Sequence, residues 1–203
     1  MPRKSTIGEP YYEREELEAA GFASLGKNVL IKKNVGIYFP QNLHIGDNVR
    51  IDDFTVIGST KEPCYIGSYV HIASHCCILG SGGFTMEDFS GLAPQVTLVT
   101  GSDDYTSGKL TNPMVPKDLA GVKEARIILK KHVILGTGCV VFPGVEIGIG
   151  SSVGALSLVT KSLDEWGVYL GAPCRRFKSR SDKILELEAE VWKRAEQENA
   201  KAL

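Results

Sequence analysis

An aliphatic residue recurs every six positions through most of this chain, and that internal period constrains its fold more than any other feature. The first group is Leu25, Ile31 and Ile37, followed by Ile45, Ile51 and Ile57, by Ile66, Ile72 and Ile78, and by Met86, Leu92 and Leu98. A further run holds Leu129, Leu135, Val141, Ile147, Val153 and Val159. Four positions after each, the residue is usually small or β-branched, as at Val29, Val49, Thr55, Cys76, Val96, Cys139 and Ser157. Gly often follows the aliphatic residue directly (Gly26, Gly46, Gly67, Gly136, Gly148, Gly154), which suits turns that need positive φ.

The breaks in the period matter as much as the period. In the first four groups they fall after every third hexad, with two, three, two and then twenty-five extra residues. Three hexads make one triangular coil, so each insertion leaves from the same corner. About six coils result, and stacking them at the inter-strand spacing buries one aliphatic column. The fold class is therefore all-β, a parallel β-helix. A β-sandwich would instead show alternation broken by hairpin turn signals, which are missing here.

Three parts follow. Residues 1–24 form a cap segment in which YYEREELEAA (11–20) reads as a short helix stopped at Gly21 and covering the open first coil. Residues 25–160 form the β-helix, with an inserted loop at 99–127. Residues 161–203 form a C-terminal segment with a helix capped by Ser181 or Asp182. Its Ile184, Leu185, Leu187, Val191 and Trp192 lie on or near one stripe and pack against the column. A loop as long as 99–127 in a compact domain points to a functional arm.

A net charge of −1 gives no basic excess for nucleic acid and little attraction to a membrane surface, and no apolar run suits a leader or a membrane span. The five cysteines are odd in number and lack zinc-type spacing, which points to a reduced, cytoplasmic setting with no metal expected.

Four histidines could serve as a base: His44, His71, His75 and His132. With hexad positions one and five pointing inward, His71 (sixth) and His75 (fourth) both point out of the third coil, in YVHIASHCCILG. His44 and His132 read as solvent-facing scaffold. Asp103 and Asp104 stand at the start of the arm, near the third coil in order, where a carboxylate could fix an imidazole's tautomer.

The hexad pattern, together with NVRIDDF (48–54), YVHIAS (69–74), DFSGL (88–92), GSDDYTSG (101–108), LTNPMVP (110–116) and GALSLVTKSL (154–163), resembles hexapeptide-repeat sugar acetyltransferases of bacterial surface-polysaccharide gene clusters. That family includes enzymes similar to dTDP-viosamine N-acetyltransferase and galactoside-type O-acetyltransferases. The resemblance implies a left-handed helix and a homotrimer with sites between subunits. It also implies acetyl transfer from acetyl-CoA to a hydroxyl or amino group of a sugar, nucleotide-linked or part of a surface glycan such as O-antigen. On it, His71 ranks first as base with Asp104 or Asp103 as partner, and His75 second. Galactoside acetyltransferases carry a histidine in a TGH motif where this chain reads TGS at 100–102, so that histidine has no counterpart here.

In the family the last coils line the pantetheine groove, and Gly136, Gly138, Gly154 and Ala155 match those positions. Lys161 and the run GAPCRRFKSR, with Arg175, Arg176 and Lys178, could meet the CoA phosphates. Two other readings stay open: a non-catalytic scaffold, and a metal hydratase of the γ-carbonic anhydrase type, for which no third histidine ligand is evident.

Overall fold

The computed structural model describes residues 10–58 and 61–201, with nothing said of side chains at 198–201. Short strands of two to four residues stack into three faces, in coil order. The first face follows Leu25, Ile45, Ile66, Met86, Leu129 and Ile147. The second follows Ile31, Ile51, Ile72, Leu92, Leu135 and Val153. The third follows Ile37, Ile57, Ile78, Leu98, Val141 and Val159. All these pairs are parallel and in register. The molecule is a left-handed parallel β-helix.

Six full coils are present, and a partial seventh follows. Leu163 bridges to Ile147, and Gly167–Leu170 pairs with the second face. The chain then reverses, and Arg175–Ser179 runs antiparallel to Gly167–Leu170. This terminal hairpin closes the upper end of the second face.

Position-one residues are buried almost without exception after the first coil, and each fully buried Ile or Leu is worth about 1.5–3 kcal/mol relative to exposure. The glycine expectation needs correction. Positive φ falls at hexad position four, at Asn48, Tyr69, Phe89, His132 and Gly150 along one corner and at Phe54, His75, Gln95, Gly138 and Leu156 along another. The glycines that follow the aliphatic residue are required by close stacking instead. A Cβ at Gly67 would lie 2.7 Å from the backbone nitrogen of Asp88, and one at Gly136 would lie 2.6 Å from that of Ala155.

Helix α1 (Arg14–Ala19) carries a reciprocal capping box between Glu13 and Glu16 and buries Leu17 over the first coil. Helix α2 (Ile184–Lys201) lies along the corner that carries Tyr69, Phe89 and His132. Its contact is more polar than the stripe suggested. Leu185 and Leu187 are exposed, while Glu188 accepts hydrogen bonds from Lys131 (2.5 Å), His132 (2.7 Å) and Trp192 (3.0 Å). His132 is accordingly only 8% exposed and stacked on Phe89, not solvent-facing. Burial works against the Glu188 carboxylate, but those three donors hold its pKa down to about 2.

The inserted arm has its own order. Gly101–Asp103 pairs antiparallel with Val122–Glu124, and Leu110 bridges Ala120 farther out. The arm leaves the corner between the third and first faces. No described helix is long and apolar enough to cross a membrane.

Candidate functional site

His71 sits at hexad position six on the second face, one residue before the buried Ile72, so the hexad phase turns its imidazole outward. In the coil below, Arg50 is its register partner and Asp52 follows two residues later. That offset brings Asp52 Oδ2 to 2.8 Å from His71 Nε2, while Asp52 Oδ1 accepts from Arg50 Nε at 2.7 Å. Asp52 is 15% exposed and the imidazole 52% exposed. Partial burial pushes the Asp52 carboxyl up, and the hydrogen bonds from Arg50 and His71 outweigh it, so the group titrates below the ordinary carboxylate range.

With Nε2–H donating to Asp52, the neutral ring carries its free lone pair on Nδ1. The result is a half-exposed imidazole whose tautomer is set by a carboxylate, an arrangement suited to accepting a proton. The second ranked histidine, His75, lies at the corner between the second and third faces, exposed and packed against Phe54 with ring centroids 5.0 Å apart.

The expected pairing of His71 with Asp103 or Asp104 does not occur within the chain. Asp104 closes a local turn instead, accepting from the backbone of Thr106 (2.9 Å), the Thr106 hydroxyl (2.8 Å) and the backbone of Ser107 (3.1 Å). The Thr106 backbone donor leads these in lowering its pKa. Asp103 accepts from the backbone of Asn112 at 3.2 Å. Sequence reading missed Arg50 and Asp52 although NVRIDDF contains both. The signal was the coil offset, which the three-residue insertion before Ile66 shifts so that Arg50 falls under His71.

Above His71 the same edge of the helix carries the residues expected to meet the cofactor. Gly136 and Gly138 lie at the second–third corner of the fifth coil, and Gly154 and Ala155 lie above them in the sixth. Gly138 has a positive φ of 70° and sits under the exposed Leu156. Lys161 and Arg175 share a cleft of about 230 Å³ at the top of the third face with Thr160, Leu163, Pro173 and Cys174. Arg176 and Lys178 lie outside that cleft, Arg176 over the Tyr169 ring and Lys178 over Phe177. Among the described residues, no group of three His, Cys, Asp or Glu side chains could hold a metal ion.

No protein-family model matches the chain. It is 35% identical over 179 residues to the dTDP-4-amino-4,6-dideoxy-D-glucose acyltransferase of Escherichia coli, covering 88% of this chain and 93% of that protein. Its structure resembles that of AntD, an N-acyltransferase from Bacillus cereus solved with dTDP and 3-hydroxybutyryl-CoA. The TM-score is 0.88 and the identity 43%, over 93% of this chain and 99% of that one. A variant of AntD solved with dTDP-4-amino-4,6-dideoxyglucose and Coenzyme A matches with a TM-score of 0.87 and 45% identity, over 91% and 98% of the two chains.

Proposed function

Because this chain belongs to the hexapeptide-repeat acyltransferases, enzymes that draw an acyl group from a CoA thioester, we propose that its acceptor is the amino group of a dTDP-linked aminodeoxy sugar. The dTDP-linked aminodeoxy sugar named for the relatives supports that choice, and so does the site chemistry. The observation that carries it is the His71–Asp52 pair on the edge that also carries Gly136, Gly154 and Ala155.

The amine nitrogen attacks the thioester carbonyl, giving a tetrahedral adduct with a positive nitrogen. His71 Nδ1 takes a proton from that nitrogen, and Asp52 steadies the resulting imidazolium. The C–S bond then breaks, the thiolate of CoA leaves, and the imidazolium returns the proton to it. The products are an amide and free CoA. Lys161 and Arg175 meet the CoA phosphates, and Arg176 and Lys178 form an outer basic fringe.

The active form in this account is a homotrimer. The outward row of the third face reads Gly36, Val56, Cys77, Thr97, Val140 and Leu158, with no charge in it, and Tyr38, Leu79 and Phe142 beside it are exposed. Three copies with these faces at the axis set the second–third corner of one subunit beside the third–first corner of the next. The neighbour's arm, with Asp103 and Asp104, then stands next to His71 and His75. The product is an N-acylated sugar nucleotide suited to building a surface glycan.

The test offers purified protein acetyl-CoA with dTDP-4-amino-4,6-dideoxyglucose, or with the matching sugar bearing a hydroxyl in place of the amine, and identifies the product by NMR. An amide from the first and nothing from the second is expected. An ester from the hydroxyl sugar alone would move the assignment to O-acylation.

A further inference from the structure

The outward row of the second face runs Arg50, His71, Gly91, Ile134 and Ser152 from one coil to the next. Below Gly91 is the proposed base. Above it, in the fifth and sixth coils, are the small residues of the proposed cofactor groove. An acyl group delivered from that groove to a nucleophile at His71 has to cross the level of Gly91.

At that level Gly91 has no side chain, and Ile134 leans into the space this leaves. A Cβ added at Gly91 would lie 3.3 Å from Ile134 Cδ1 and 3.4 Å from the carbonyl oxygen of His71. Gly91 is buried beneath this cover, whereas Ile134 is 40% exposed. Between Arg50 and Ser152 the row otherwise presents polar groups or no side chain, so the half-exposed isoleucine is its apolar member there, with Leu30 and Val168 standing at the two far ends. It offers an apolar surface one coil above the base.

We propose that Ile134, seated on Gly91, is the residue that sets the size of the acyl group this enzyme transfers. The inference rests on the acyl-transfer reading above and adds to it a specificity wall of one side chain. The branched tail of Ile134 touches the acyl carbons beyond the thioester carbonyl. Its truncation opens room for longer chains, and its enlargement closes the site to all but the shortest. Gly91 controls the position of that tail, because a methyl group there must push Cδ1 away by a few tenths of an ångström.

The experiment measures kcat/KM for acetyl-, propionyl-, butyryl- and 3-hydroxybutyryl-CoA at a fixed concentration of dTDP-4-amino-4,6-dideoxyglucose. It compares the unsubstituted protein with Ile134→Ala, Ile134→Phe and Gly91→Ala. Adding or removing one methylene in an apolar pocket changes discrimination by about tenfold or more. Ile134→Ala is therefore expected to raise the butyryl-to-acetyl ratio by at least about tenfold, and Ile134→Phe to lower it by a similar factor. Gly91→Ala should shift the ratio by less, with an unchanged KM for the sugar nucleotide. Thermal melting checks the fold, and because Ile134 is half-exposed its variants should melt close to the parent.

If all variants transfer acyl groups with the parental ratio, the proposal is overturned while the acyltransferase reading stands. The same holds if the ratio moves equally in Leu30→Ala, a variant of the same row at the far end from the cofactor groove. If the parent consumes no acyl-CoA of any length, both readings fall together.

Discussion

Replacing Asp52 by Asn removes one charge from the site and leaves its shape nearly intact, which makes the expected effect calculable. At a separation near 4 Å, two unit charges at the edge of a protein attract by roughly 4 kcal/mol. Here the imidazole is 52% exposed, and solvent screening reduces the interaction to roughly 1–2 kcal/mol. That attraction exists only after His71 has taken the proton, so it acts on the transition state and not on the bound substrates. A loss of that size corresponds to a fall in kcat of roughly five- to thirtyfold.

The KM values for acyl-CoA and sugar should stay within about a factor of two, since Asp52 acts through His71 and the contacts it loses, to Arg50 and His71, are contacts to the protein and not to either substrate. Asp52 titrates below the ordinary carboxylate range, so its charge is complete above that range and lost only as pH falls through its folded value. The carboxylate is therefore charged throughout the neutral range, and its own titration adds no pH dependence to the comparison there. The assay is steady-state thiol release by both proteins, with melting curves to exclude misfolding. A kcat equal to that of the parent, or a loss carried wholly by KM, would refute the pairing of Asp52 with a working base.

Gly67→Ala forces a Cβ to within 2.7 Å of the Asp88 backbone nitrogen, so stability should fall by roughly 1–3 kcal/mol, read as a lower urea midpoint at an unchanged slope. Glu188→Ala leaves Lys131, His132 and the Trp192 indole without their shared acceptor and should cost about 2–4 kcal/mol, with loss of α2 helicity in circular dichroism. Because the folded pKa of Glu188 is held at about 2, below its ordinary 4.5, its stabilisation is complete above 4.5 and disappears as pH falls towards 2. The melting temperatures of parent and Glu188→Gln should converge across that window. Lys161→Ala and Arg175→Ala should each raise the Kd for CoA about tenfold by calorimetry, with a weaker salt dependence than the parent.

The column was legible because burial at positions one and five is a local requirement, repeated in every coil from Ile31 to Val159. The partial seventh coil and the Arg175–Ser179 hairpin were not, since the period stops at Val159 and the pairing of Leu163 with Ile147 skips hexad spacing. The outward direction of His71 followed from its hexad phase. Its partner did not, because proximity in coil order favoured Asp103 and Asp104, whereas register puts Asp52 alongside and local turn hydrogen bonds engage the other two. The burial of His132 was hidden because it depends on where α2 docks, and Glu188, not an apolar stripe, anchors that docking.

The most direct test of the whole account is a single comparison: free thiol released from acetyl-CoA in the presence of dTDP-4-amino-4,6-dideoxyglucose by the parent protein and by His71→Ala. Acceptor-dependent release by the parent and a fall of at least about a hundredfold in the variant are expected. Equal release by both proteins would contradict the assignment of His71 as the base, and no acceptor-dependent release by the parent would contradict the sugar-amine acceptor itself.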